Sequence, residues 1–235
     1  MSIIRDRDFK TKTEEQIGDE CFSIAIANNF IDTKDAFVGH IFGNNNFHRF
    51  YKLDEEGNIK GFTVIEFPKV EDLVLCYIGI VFVHPNSQGQ GLSKELMNAA
   101  VMGSGMDPDL ISLRTQNPRM FDSFVANFGG ISFPNPVLQT PEEVVDVIRN
   151  LQCARDMQGI PNLSSNLIVR GAYPNSFVHQ TSRNSFGDEM CALLGEQDAI
   201  IPTIITDTGR DKILRKSLIE RGDMDGIKRN TQKIG

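Results

Sequence analysis

Residues 77–97 read YIGIVFVHPNSQGQGLSKELM. An apolar run ends at Val83, a polar turn holding Gly89 and Gly91 follows, and apolar residues return at helical spacing from Leu92. Traced backwards, the apolar run begins at Leu73 (LVLCYIGIVFV). So continuous a run predicts a central strand covered on both faces. Gly79 interrupts it, and a glycine inside a strand marks either a bulge or a close approach of other backbone. Leu92, Leu96 and Ala99/Ala100 form the apolar stripe of a helix over Leu92–Met102, stopped by Gly103 and Gly105.

The junction between strand and helix has a physical use. The first N–H groups of a helix lack internal partners and favour an anion in front of them. Gly89 and Gly91 carry no side chains, so a phosphate can come close to those amides. Ser93 offers a hydroxyl and Gln88 an amide donor. Such a loop is either a diphosphate cradle or a plain turn. It is not a P-loop, because no Lys-Ser/Thr follows Gly91. Nor is it a dinucleotide fingerprint, because Lys94 stands where the third glycine belongs.

Before this junction, Thr13 with Gln16 fits a capping box opening a helix through Ile17, Cys21 and Ala25. Asp32 or Thr33 caps a second helix through Phe37 and Ile41, ended by Gly43. Phe47–Leu53 and Ile59–Phe67 read as strands around the turn 54–58, and Pro68 breaks the second. After the junction come a strand at Leu110–Thr115, a helix with Pro118 at its first position, and a helix over Pro141–Leu151. Leu167–Ala172 and Ala199–Thr206 read as the last two strands, around a loop at Gly159–Asn166. The expected division is one α/β domain over residues 1–208 and a basic helical tail over 209–235.

The 235 residues carry a formal charge of −7. From Gly209 onward eight Lys/Arg stand against four Asp/Glu, which leaves −11 on residues 1–208. An acidic body argues against nucleic-acid binding through phosphate attraction and is compatible with a cationic substrate. Four scattered cysteines, with no C-x-x-C pair and no His cluster, predict no metal site and a reducing compartment. MSIIRDRDFKTK lacks the apolar core of a signal peptide, and no run approaches the roughly 18 apolar residues of a membrane span. The expectation is a cytoplasmic protein with no membrane partner.

These residues resemble the GNAT superfamily of acyl-CoA-dependent N-acyltransferases. There, a strand ending in Val-x-Pro leads into Gln/Arg-x-x-Gly-x-Gly/Ala and a helix. Here Val83-His84-Pro85 precedes Gln88-Gly89-Gln90-Gly91-Leu92-Ser93, with Ser93 as the one departure. The likeness spans roughly residues 73–130, extends in layout over 1–72, and beyond 135 rests on the two late strands. It implies an α/β (α+β) fold: a central mixed, mostly antiparallel twisted sheet with a splayed central strand pair and flanking helices. It implies acetyl-CoA as cosubstrate, with backbone contacts from Val81, Phe82 and Val83. The pyrophosphate would be held by Gln88, Gly89, Gln90, Gly91, Leu92 and Ser93. Asn117 falls where an asparagine commonly contacts CoA. Seven residues on stands Phe124, where the family often has the tyrosine assigned to protonate the leaving thiolate. Phenylalanine cannot do this.

The family also often places a Glu near the positions of Tyr77 and Gly79, and neither is a carboxylate. The proton-transfer candidates are therefore Glu66, near the end of the preceding strand, and Tyr77, each set against a structural role as strand-end charge and core. Catalysis by proximity and orientation needs no single base. The acceptor implied is an amine, on a small molecule or a protein. The segment between Phe133 and Asn166 is either a cap over the acceptor groove or the contact surface of a homodimer. Two alternatives stand beside an N-acetyltransferase: a catalytically degenerate CoA-binding regulatory or partner-binding protein on the same fold, and an unrelated α/β protein.

Overall fold

The computed structural model describes residues 3–5, 8–9, 12–30, 33–128, 131–135, 137–154, 163–170, 189–190, 192–195 and 198–220. The chain divides into two units, Met1–Phe67 with Cys76–Met106, and Pro68–Leu75 with Asp107–Gly235.

In the first unit, Thr13 opens α1 (Glu14–Ala27) with the predicted reciprocal capping box: Gln16 N–H donates to Thr13 Oγ1, and Thr13 N–H donates to Gln16 Oε1. Thr33 caps α2 (Lys34–Phe42) through Ala36 N–H. The sheet runs β1 (Ile3–Arg5), β2 (His48–Leu53), β3 (Ile59–Glu66), then the later part of β5 (Leu73–Val83), all paired antiparallel. Asp54 Oδ1 accepts from Glu56 N–H and Asn58 N–H and so folds the β2–β3 turn.

Alternation along the strands builds two packed faces. Tyr51, Phe62 and Val64 join Ile17, Cys21, Ile24, Phe37 and Ile41 of α1 and α2 in one buried cluster. On the other face α3 (Leu92–Gly103) packs over β2 and β3, with Leu92 and Leu96 against Val83. Gly61 is required beneath α3: a Cβ there would lie 2.9 Å from Phe82 O and 3.1 Å from Leu96 Cδ1.

The second unit contains β4 (Lys69–Val70), a short partner of the start of β5 that the sequence did not suggest. β6 (Leu110–Leu113) neighbours β5, with Asp109 N–H donating to Val74 O at 2.8 Å. Then come α4 (Pro118–Phe128), β7 (Ile131–Phe133), α5 (Glu142–Ala154), β8 (Ile168–Val169), β9 (Ala199–Ile200), β10 (Thr203–Ile205) and α6 (Asp207–Glu220). β10 lies between β6 and β7, while β8 and β9 form a separate two-stranded ribbon. The architecture is a mostly antiparallel sheet with flanking helices, as the resemblance implies. The late strands are shorter than expected: Ala199–Thr206 is two strands, split at Pro202, whose nitrogen cannot donate to a ladder. Loop 159–166 lies largely outside the described residues.

α6 begins at Asp207, two residues before the expected basic tail, and its first turns are part of the second unit. Asp109 is fully buried, and its Oδ2 accepts from Lys212 Nζ at 2.7 Å and Val74 N–H at 2.8 Å. A buried carboxylate demands such a partner, and this one comes from the supposed tail. Residues 221–235 lie outside the described ones. Among the described residues no helix is long and apolar enough to cross a membrane.

Candidate donor site

The end of β5 is shaped by one irregularity. Val64 pairs with Ile80 and Ile65 with Ile78, so Gly79 has no opposite residue on β3. The glycine marks a bulge, the first of its two sequence readings. Coverage on both faces holds only before it. Leu75–Ile78 are buried, but Gly79 is exposed and Ile80, Val81 and Phe82 are half-buried. Past the bulge, His84 N–H donates to Lys60 O at 2.8 Å. By the alternation of an antiparallel pair, Phe82 therefore turns its backbone groups toward β3, and Val81 and Val83 turn theirs to the opposite edge. Of the three residues expected to offer backbone contacts, Val81 and Val83 thus face that edge and Phe82 faces β3.

The loop follows as Pro85–Ser87, one 3-10 turn, with His84 Nδ1 accepting from Asn86 N–H. Gly89 and Gly91 have φ of 76° and 79°, and a Cβ on either would meet nothing within 4 Å. Both glycines are thus demanded by backbone conformation, and the space beside them is open. Gly91 is the N-cap of α3 and supplies no side-chain cap; the first helical bond closes at Glu95 N–H to Gly91 O. The N–H groups of Leu92, Ser93 and Lys94 precede that bond and point out of the helix. Glu95, an acid in the first turn, is neutralised by Lys52 Nζ at 2.6 Å, and Lys94 is exposed.

Gln88 Nε2 donates to Asn28 Oδ1 at 2.7 Å and to Val83 O at 3.3 Å, so its donor is turned onto the protein. Gln90 Nε2 donates to Asn86 O at 3.4 Å, within the loop. Asn28, the C-cap residue of α1, was not singled out in the sequence; a lone asparagine after a helix carries no signal of what it touches 55 residues on.

Among the proton-transfer candidates, Glu66 on β3 stands directly opposite Tyr77 on β5, so their side chains leave the same face of the sheet. Glu66 is half-buried with Oε1 enclosed, and Tyr77 is 3% exposed. Cys76 is fully buried, and burial pushes its thiol up to about 12, an inert core group. In the second unit, Asn117 is the N-cap of α4: its Oδ1 accepts from Arg119 N–H at 3.0 Å and its carbonyl from Phe121 N–H. Phe124 is fully buried and packs edge-on to Phe128, as core. Among the described residues no group of three His, Cys, Asp or Glu is placed to hold a metal ion.

Residues 13–108 match the model of the Acetyltransferase (GNAT) family. No curated protein matches the chain in sequence. Among solved structures, the chain is similar to the GCN5-related glucosamine N-acetyltransferase region of a fungal multi-domain GH3 β-N-acetylglucosaminidase, at 18% identity over 67% of this chain and 17% of that one, with a TM-score of 0.41. It therefore spans under a fifth of that protein. It is similar to Tetrahymena GCN5, at 11% identity over 59% and 82% of the two chains, with a TM-score of 0.42. It is also similar to a GNAT-family acetyltransferase from Staphylococcus aureus Mu50, at 18% identity over 58% and 88%, with a TM-score of 0.41.

Proposed function

We propose that the chain, whose residues 13–108 match the model of the acetyltransferase (GNAT) family, moves an acetyl group from acetyl-CoA to an amine by direct attack on the thioester. One observation carries the reading: a bulged strand with an outward-facing backbone edge runs straight into a loop of two left-handed glycines and an uncapped helix N-terminus. That arrangement fits an acyl-CoA, with open space where a Cβ would stand on Gly89 and Gly91.

The N–H groups from Gly89 to Ser93 would hold the diphosphate, favoured by the helix dipole. Val81 and Val83 would pair along β5 with the pantetheine amides, as an added strand pairs. Acetyl-CoA supplies the acetyl group as an activated thioester. Backbone N–H groups of β5 would polarise its carbonyl. Tyr77 precedes the bulge by two residues, about 7 Å along a strand. Glu66, across from it, would take the proton of the incoming ammonium, and the Tyr77 phenol would be the acid on the same face. The net charge of −11 on residues 1–208 favours approach of a cationic amine.

A second reading, a CoA-binding protein without turnover, is favoured by Phe124, which is buried where the family often has a tyrosine. One experiment separates the two: calorimetric titration with acetyl-CoA, then release of free CoA thiol across a panel of primary amines. Binding with release supports the transferase. Binding with no release from any amine supports the second reading, and no binding removes both.

A further inference from the structure

The donor in Gln88 is spent on Asn28, and this gives the loop a support that its own motif does not contain. Asn28 caps the C-terminus of α1, where its Nδ2 donates to Ile24 O at 2.8 Å. The same Nδ2 donates to Val83 O at 3.0 Å. Asn28 Oδ1 accepts from Gln88 Nε2 at 2.7 Å, and Gln88 Nε2 also reaches Val83 O. Three points that must keep a fixed spacing thus meet at one side chain: the end of α1, the last residue of β5, and the residue that begins the glycine segment.

We infer that Asn28 is a positioning residue for the diphosphate loop, acting through Gln88 and the Val83 carbonyl rather than by touching the donor. Two features support this. First, Gly89 and Gly91 both adopt positive φ with no atoms packed where a Cβ would be, so neighbouring side chains do not hold their conformation. Something else must fix the loop if its amides are to converge without an ordering cost at binding. The Asn28–Gln88 bond does so just before the first glycine. Second, Val83 is the point where β5 ceases to be a strand. Its carbonyl faces the edge away from β3, and Asn28 and Gln88 together close that edge at its last residue. The edge offered to a donor then ends at Val83 N–H, and the chain turns directly into the loop. Gln88 is itself exposed, so the bond is maintained by geometry and not by burial.

The inference rests on the reading that this loop holds the diphosphate of acyl-CoA. Its test is equilibrium binding of CoA and of S-acetylpantetheine, which lacks the diphosphate, to the full chain and to Asn28→Ala, Gln88→Ala and the double variant. Each single variant is expected to weaken CoA by about tenfold, the scale of one lost hydrogen-bonded brace. The double variant should be no weaker than the worse single by more than about twofold, since the two residues act as one unit. S-acetylpantetheine should bind all four proteins alike. A general loosening of the fold would instead weaken both ligands together and overturn the assignment. So would a loss confined to Gln88→Ala, which would mean that Gln88 touches the diphosphate itself, or unchanged CoA affinity in all variants. If Asn28→Ala fails to fold, Asn28→Ser, a shorter polar side chain at the end of α1, takes its place in the same comparison with Gln88→Ala. Absence of CoA binding to the unaltered chain would instead sink the donor reading and the brace with it, an outcome distinct from all of these.

Discussion

Gly91→Ala should damage donor binding far more than it damages the fold. Gly91 sits at φ 79° and ψ 7°, and a Cβ there would meet nothing within 4 Å, so no packing clash enters. An L-residue in this left-handed region costs about 1–2 kcal/mol. Removing glycine's freedom in the unfolded chain returns roughly 0.4–1 kcal/mol. The net loss is about 1 kcal/mol, a fall in Tm of roughly 2–4 °C for a chain of this size. On the binding side, the new methyl would stand in the open space beside the N–H groups of Leu92 and Ser93. Losing one such bond to a charged phosphate costs about 1.5–3 kcal/mol, or roughly 10–100-fold in Kd for CoA. Calorimetric titration and thermal melts on the same samples give both numbers. Gly91→Asn provides the control: asparagine tolerates the left-handed region, so the melt should recover while the affinity loss persists. Binding of CoA within about twofold of the unaltered chain by both Gly91→Ala and Gly91→Asn would remove the diphosphate from these amides.

Two further outcomes test the fold around the site. Lys212→Met should destabilise by about 2–3 kcal/mol in denaturant unfolding, the low end for breaking a buried pair because Lys212 is 38% exposed while Asp109 is fully buried; adding Asp109→Asn should recover part of it, and an unchanged midpoint would refute α6 as an integral element. Asp54 is held well below the usual carboxylate range, first by its bond with the Lys60 ammonium at 2.9 Å and then by Asn58. A carboxyl whose folded pKa is depressed stabilises fully above its unfolded value of 3.8 and loses that contribution as pH falls below it, so Asp54→Asn should flatten the acid limb of stability against pH below about 4 and leave the neutral region with a constant offset.

Most of the first unit was legible because its signals are local. Thr13 with Gln16, Thr33, the 54–58 turn and Gly79 each specify a backbone conformation within a few residues of themselves. What escaped notice is either too short for periodicity or settled at long range. β4 has two residues and β7 three, below the length at which alternation can be counted. The place of β10 between β6 and β7 is a pairing choice that no stretch of sequence announces. Composition groups Lys212 among eight basic residues as a tail, and no local signal tells that it meets Asp109, 103 positions away.

The candidate donor site was more legible than the candidate catalytic one for a physical reason. Holding a diphosphate uses backbone amides, and their placement requires only a strand end, glycines that accept positive φ, and a helix start. All three are written in consecutive residues from Val83 to Ser93. Proton transfer uses side chains, and which side chains meet depends on register. Continued in the register of Val64 opposite Ile80, β3 would set Ile65 against Gly79 and Glu66 against Ile78. The extra residue at Gly79 shifts both by one, and Glu66 meets Tyr77 instead. A one-residue slip also exchanges the faces of a strand, so the bulge decides on which side of the sheet Tyr77 lies relative to the residues beyond it. The glycine alone announces that a bulge is there; only the pairing with β3 tells which carboxylate it brings opposite a phenol.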